Sequence, residues 1–184
     1  MIALVGLGNV GDAYEDTKHN AGFWVLDEFA RRNKIDFYPG KGDYVFCQLK
    51  RRKVLLVKPT TMMNKSGLAV KDVMEKWDLK PSNMLIVLDD VDLPLGSLRV
   101  RPGGGDGCHR GLENIIYNLQ TNQFPRLRMG IAASDYMRPS EHYVLSPFNK
   151  ANINQVKTMV QQCADALQTL VVRGLDRAMN EFNS

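Results

Sequence analysis

Short apolar runs alternate along the chain with longer stretches in which apolar residues recur every three or four positions. This is the pattern of buried strands interleaved with amphipathic helices. Residues 2–7 predict a strand, and residues 23–32 a helix with Phe23, Leu26, Phe29 and Ala30 on one face. Residues 44–50 and 54–58 predict a hairpin turned at Lys50, Arg51, Arg52 and Lys53, a charged tip of the kind hairpins commonly carry. A helix capped by Asn64 or Ser66 follows, running to about Trp77 with Val70, Val73, Met74 and Trp77 inward. Residues 84–88 form a further apolar strand run, and at 97–101 Leu98 and Val100 alternate with Arg99 and Arg101. Residues 111–119 predict a helix and 127–133 a strand. A long helix at 152–172 ends at Gly174, and a shorter one follows. The expected fold class is α/β: a single domain over 1–184, with a twisted mixed β-sheet flanked by helices and a C-terminal helix.

Composition narrows the class. The chain has 184 residues, 44% hydrophobic and 24% charged, which suits one globular domain and not a disordered chain. No uninterrupted apolar run exceeds five residues, far short of the ~20 that a membrane helix needs. Met1 opens directly on an apolar run without a basic leader, so no export signal is expected and a cytoplasmic setting is. Cys47, Cys108 and Cys163 lie far apart and form no metal or redox spacing. A net charge of +4 permits a nucleic-acid partner without establishing one.

Several polar or glycine-rich segments follow predicted strand ends, the edge at which open α/β sheets collect their sites. Gly6, Gly8 and Gly11 match G-x-G-x-x-G after a strand, which suggests a dinucleotide fold. Against that, the polar stretch 12–20 separates the glycines from the next helix, and Asp27 and Glu28 fall inside that helix rather than at a second strand end. The same strand end carries Asn9, Tyr14 and His19. An imidazole there either caps the helix or, with a carboxylate on its other nitrogen, acts as a general base. Asn64 is an N-cap or a cleft-facing carboxamide, and Met62 and Met63 are core filler or a soft apolar wall. Asp89, Asp90 and Asp92 follow the most apolar strand. With no histidine or cysteine cluster nearby in sequence they do not read as a metal site. They read as a turn, or as the acid that orients His19. Residues 99–128 hold five arginines against two acids around a loop with four glycines in five positions. A flat face formed by Arg99, Arg101, Arg126 and Arg128 is either solvated or matched to phosphate oxygens.

Taken together these segments resemble the bacterial-type peptidyl-tRNA hydrolases. The matching stretches are G-L-G-N-V-G-D-A-Y-E-D-T-K-H-N-A-G at 6–22, K-P-T-T-M-M-N-K-S-G at 58–67, D-D-V-D-L-P-L-G at 89–96 and G-C-H-R-G-L at 107–112. The resemblance implies hydrolysis of the ester between a peptide and the 3′ end of tRNA, with no metal and no cofactor, by a monomer that binds the tRNA phosphate backbone. It implies His19 as the base and Asp89 as its partner, with Asn9 and Asn64 as active-site carboxamides. It also implies Tyr14 and Met63 as cleft walls and Arg99, Arg101 and Arg128 on the tRNA backbone. Val10, Lys18, Cys108 and Arg110 stand where the family usually has proline, arginine, glycine and asparagine; the first two are expected to be tolerated, since neither supplies the named chemistry, and Cys108 to stiffen its loop. The competing readings are a non-enzymatic RNA-binding protein on the same fold, as in a chloroplast splicing relative, and a nucleotide-dependent oxidoreductase.

Overall fold

The computed structural model describes residues 1–133 and 140–183. Part of the polar segment that the sequence shows at 134–146 therefore lies outside the described residues. Seven strands form one sheet: β1 (Ile2–Gly6), β2 (Tyr38–Pro39), β3 (Tyr44–Leu49), β4 (Val54–Pro59), β5 (Met84–Pro94), β6 (Leu98–Arg101) and β7 (Arg126–Ala132). Their spatial order is β2-β3-β4-β1-β5-β7-β6. The central four, β4, β1, β5 and β7, run parallel. The β2–β3–β4 side and the β6 edge are antiparallel, so the sheet is mixed as expected.

The helices are α1 (Ala21–Asn33), α2 (Ser66–Lys76), α3 (Arg110–Leu119), α4 (Glu141–Val144), α5 (Ile153–Arg173) and α6 (Leu175–Phe182). Alternation along the central strands sends side chains to two separate cores. Leu4, Leu56, Leu85, Val87 and Leu127 pack with α1, α5 and α6. Ala3, Val5, Leu55, Val57 and Ile86 pack with α2 and α3 on the opposite face. The central strands are thus covered on both sides, which is why they read as unbroken apolar runs. Among the described residues no helix is long and apolar enough to cross a membrane.

Two expectations need correction. Neither Asn64 nor Ser66 caps α2: Lys65 holds the cap position without a side-chain bond, and the Ser66 hydroxyl donates to the Met63 carbonyl at 2.8 Å. The acidic segment at 89–92 is not a turn, because β5 runs on through it to Pro94 with a register shift against β7 after Asp90. The ladder from Ile86 to Asp90 carries Asp89 out of the core as part of a rigid strand.

Gly6 and Gly22 serve packing. A Cβ on Gly6 would stand 2.4 Å from the Gly22 carbonyl oxygen, and one on Gly22 would stand 2.4 Å from both the Leu7 nitrogen and the Val87 oxygen. Helix α1 therefore rests directly on the β1 and β5 backbones. The residues just before it, Lys18–Asn20, form a 3-10 turn pressed against the sheet's C-terminal edge.

Candidate active site

A cleft of about 740 Å³ opens at that edge, lined by ends of β1 and β5, the turn after β4, the glycine-rich loop and the starts of α3 and α4. His19 and Asp89, 70 positions apart in sequence, meet at its floor. His19 Nδ1 lies 2.9 and 3.0 Å from the two Asp89 carboxylate oxygens. A second imidazole joins them, with His109 Nε2 3.0 Å from Asp89 Oδ1 and the two rings stacked at a tilt with centroids 4.7 Å apart. His109 is also the N-cap of α3, its Nδ1 accepting from the Leu112 amide at 3.2 Å.

These bonds fix both tautomers. His109 Nδ1 accepts, so its ring proton is on Nε2 and points at Asp89. His19 Nδ1 faces a carboxylate, so it donates, and Nε2 keeps the lone pair. Asp89 is 2% exposed. Burial pushes its carboxyl up, but the electrostatic pull of the His19 and His109 rings and their hydrogen bonds outweigh that and hold it well below the usual carboxylate range. Burial also weighs most on His19 and works against its charged form. The Asp89 charge and hydrogen bond overcome it, with Arg110 opposing, and the imidazole ends above its ordinary value.

Contrary to the expectation that no histidine cluster stands near the acids, the fold brings ligand-type atoms of His19, Asp89 and His109 within 4.8 Å of one another. A divalent ion in their midst would need lone pairs on His19 Nδ1 and His109 Nε2. The Leu112 amide, by occupying His109 Nδ1, turns the other nitrogen into a proton donor. The trio is therefore built as a hydrogen-bonded carboxylate with two N–H donors.

Asn9 is held at three points. Its amide donates to Asn20 Oδ1 at 2.8 Å, its carbonyl accepts from Asn20 Nδ2 at 3.0 Å, and its own Oδ1 accepts from the Met63 amide at 2.7 Å. The side-chain oxygen is thus committed to the scaffold, and the amide nitrogen is the half left for the cleft. The Asn20 tie went unnoticed in sequence, where a polar residue after a histidine carries no distinctive signal. Met63 is buried and Asn64 exposed, and both line the cleft with the half-buried Tyr14.

Lys18 has a place of its own in the fold. It is buried, and its ammonium donates to Ser146 Oγ at 2.9 Å and to the Pro147, Ser146 and Tyr143 carbonyls at 2.8–3.4 Å. The residue beside His19 thereby anchors the segment that follows α4.

The arginines divide. β6 and β7 pair Arg99 with Arg128 and Arg101 with Arg126, so the four share one face. Arg126 is buried and structural, donating to the Gly105 carbonyl at 2.8 Å and the Asn122 carbonyl at 2.9 Å. It holds the glycine loop in place. Burial, with Arg128 nearby, brings its guanidinium down to about 10. Arg128 lines the cleft but is ion-paired with Asp90. Arg101 is exposed at the cleft, and half-buried Arg99 flanks it outside the cleft lining. Cys108 adopts a left-handed φ of 60° at its loop position, a conformation glycine takes freely and other residues seldom do.

Fold and site define an α/β protein whose sheet edge presents an imidazole lone pair, oriented by a buried carboxylate, to a cleft bounded by carboxamides, methionine and arginine. Comparison with known proteins places it further: the chain belongs to the peptidyl-tRNA hydrolase family, whose model matches residues 3–184. It is 38% identical over 188 residues to the peptidyl-tRNA hydrolase of Alkaliphilus metalliredigens, covering 100% of both chains. To that of Hydrogenobaculum sp. it is 42% identical over 163 residues, covering 89% of this chain and 87% of the other. The crystal structure of peptidyl-tRNA hydrolase from Acinetobacter baumannii superposes with a TM-score of 0.91 at 29% identity, covering 100% of this chain and 95% of that one.

Proposed function

We propose that this protein hydrolyses the ester joining a peptide, or an N-blocked aminoacyl group, to the 3′ ribose of tRNA. The observation that carries the reading is the His19–Asp89 contact, which leaves one imidazole nitrogen unprotonated at the cleft floor. His19 Nε2 takes a proton from water as the water oxygen adds to the ester carbonyl carbon. The tetrahedral intermediate then expels the ribose oxygen, which recovers that proton from the imidazolium. The products are a free peptide acid and free tRNA. Asp89 stabilises the imidazolium and His109 holds Asp89 by its second donor. An ester needs no stronger activation than this, since its leaving alkoxide departs more readily than an amine.

The Asn9 amide nitrogen and the Asn64 carboxamide hydrogen-bond the acyl group or the attacking water. A carboxamide that donates to the carbonyl of an N-acyl group is left unsatisfied by a free ammonium, which offers no acceptor, and this favours N-blocked substrates. Tyr14 and Met63 form the walls against which varied side chains rest. Arg101, Arg99 and Arg128 receive tRNA phosphates, contacts that supply affinity without sequence information. We take the active form to be a cytoplasmic monomer.

The direct test is release of deacylated tRNA from N-acetyl-aminoacyl-tRNA in the presence of chelator. Turnover by the wild type is expected. His19→Ala is expected to fold and to lose about 10²–10⁴-fold in kcat, the usual worth of a positioned base. RNA binding without turnover on any N-blocked aminoacyl-tRNA would replace the hydrolase with a non-catalytic RNA-binding protein.

A further inference from the structure

β6 is an outer strand of the sheet and has a strand neighbour, β7, on one side. The backbone groups on its other side meet a side chain from α6. Asn183 Oδ1 accepts from the Val100 amide at 2.7 Å, and Asn183 Nδ2 donates to the Val100 carbonyl at 2.9 Å. One carboxamide thus makes both bonds that a residue of a further antiparallel strand would exchange with Val100. Asn183 is itself fixed. Its backbone amide donates to the Met179 carbonyl at 3.1 Å and closes the last turn of α6. Buried Ala178, with Leu175, Met179 and Phe182 around it, seats that helix on the core into which the Val100 side chain points. Val100 is therefore held from beneath by packing and from outside by hydrogen bonds.

The two arginines of β6 flank this residue. Successive residues of a strand turn their backbone groups to opposite sides. Val100 turns its groups to Asn183, so Arg99 and Arg101 turn theirs toward β7, in register with Arg128 and Arg126. Their side chains leave the strand on the face opposite Val100, ~6.7 Å apart along it. The setting of both guanidinium groups thus follows from the setting of a four-residue strand at the sheet's edge. A strand held by one ladder alone belongs to the part of a fold that opens most readily.

We infer that Asn183 is a positioning residue for tRNA: by clamping Val100 it holds β6, and with it Arg99 and Arg101, in the setting in which they meet the phosphate backbone. A strand that is already fixed loses less freedom when phosphates arrive, so the clamp acts on affinity. The carboxamide carries no charge, so the number of phosphates neutralised does not depend on it. His19 and Asp89 sit over β1 and β5, with β7 between them and β6, so the chemical step does not depend on it either. The role rests on the hydrolase reading and its phosphate contacts.

The test compares the full-length wild type with Asn183→Leu, which keeps the approximate size of the side chain and removes both bonds. Hydrogen exchange of the Val100 amide, read by NMR, is expected to quicken in the variant while the β7 amides keep their protection. On N-acetyl-alanyl-tRNA, KM is expected to rise about three- to ten-fold, the net worth of one hydrogen bond, with kcat unchanged. The slope of log K against log salt for uncharged tRNA is expected to match the wild type, because no cation is lost. Faster Val100 exchange with KM unchanged would reduce Asn183 to a seal on the sheet edge. Unchanged Val100 exchange, a fall in kcat as large as the rise in KM, or a slope smaller by one would also overturn the role. Failure of the wild type to turn over N-acetyl-alanyl-tRNA would remove the hydrolase reading and this role with it, and the exchange of Val100 would still report on the clamp.

Discussion

At Asp89, a single buried carboxylate accepts from two imidazoles that have different second duties. His19 keeps Nε2 for chemistry, whereas His109 spends Nδ1 on capping α3. Because the folded His19 pKa is raised, the imidazole lone pair appears only as pH climbs past its ordinary value of about 6.5. The acid limb of kcat/KM is therefore expected above that value. Asp89→Asn removes the charge that raises it and leaves burial and Arg110 to pull it down, so the limb moves to lower pH while kcat falls. An NMR titration of the His19 ring in both proteins checks the direction, and an unchanged midpoint would refute the pairing as the cause. The same shift ties stability to pH. The pair's contribution is fully present below the unfolded histidine's pKa and is lost as pH rises through the higher folded value. His109 separates the two duties further. His109→Ala loses cap and carboxylate contact together, and the cap alone is worth about 0.5–2 kcal/mol. His109→Asn keeps an N-cap acceptor, so it is expected to recover most of the melting temperature but not the rate. Recovery of both by Asn would reduce His109 to a cap.

At the scale of elements, the apolar periodicity located nearly every strand and helix, because these strands are buried on both faces and the helices are strongly one-sided. The hairpin tip at Lys50–Arg52 and the stop at Gly174 were legible for the same local reasons. What the pattern hides is how close two elements come. Gly6 looks like the start of a phosphate loop, yet it is spent, together with Gly22, on contact between β1 and α1. His109 was hidden because its partner Asp89 lies 20 positions away, across a glycine loop with no period of its own. Lys18 reads in sequence only as a tolerated exchange, and its burial reveals the ammonium among four oxygens. The glycine contact carries its own prediction. Gly22→Ala forces α1 off the sheet at a point where both obstructing groups are backbone, so a loss of at least about 1–3 kcal/mol is expected. For a chain of this size that lowers Tm by roughly 2–4 °C per kcal/mol. His19 sits on the turn entering α1, so kcat is expected to fall even at temperatures where the variant stays folded. A variant with the melting point lowered and kcat intact would show that the turn holds its own geometry independently of the helix.

Across the whole molecule, the parallel core sets out functions in the order of its strands. The carboxamide and methionine come from the β4 end, the base and carboxylate from β1 and β5, and the cations from β7 and β6. The cationic end is less free than the sequence implies, because Arg126 is bound to loop carbonyls and Arg128 is held by Asp90. Arg128 can take a phosphate only by sharing or leaving that carboxylate, whereas Arg101 already faces solvent at the cleft. The two arginines are therefore expected to fail differently. Arg101→Ala removes one phosphate contact, so tRNA affinity falls and the slope of log K against log salt shrinks by about one. Arg128→Ala removes a cation and also releases the Asp90 charge toward the incoming backbone, so its loss at low salt is expected to be the greater. Neutralising that acid isolates the second part: in the Arg128→Ala, Asp90→Asn double variant, affinity is expected to recover toward that of Arg101→Ala. Titrations of uncharged tRNA across a KCl series, with all three proteins, measure this. If the double variant binds no better than Arg128→Ala alone, Asp90 is not a brake on phosphate binding, and Arg128 meets the backbone without giving up its partner.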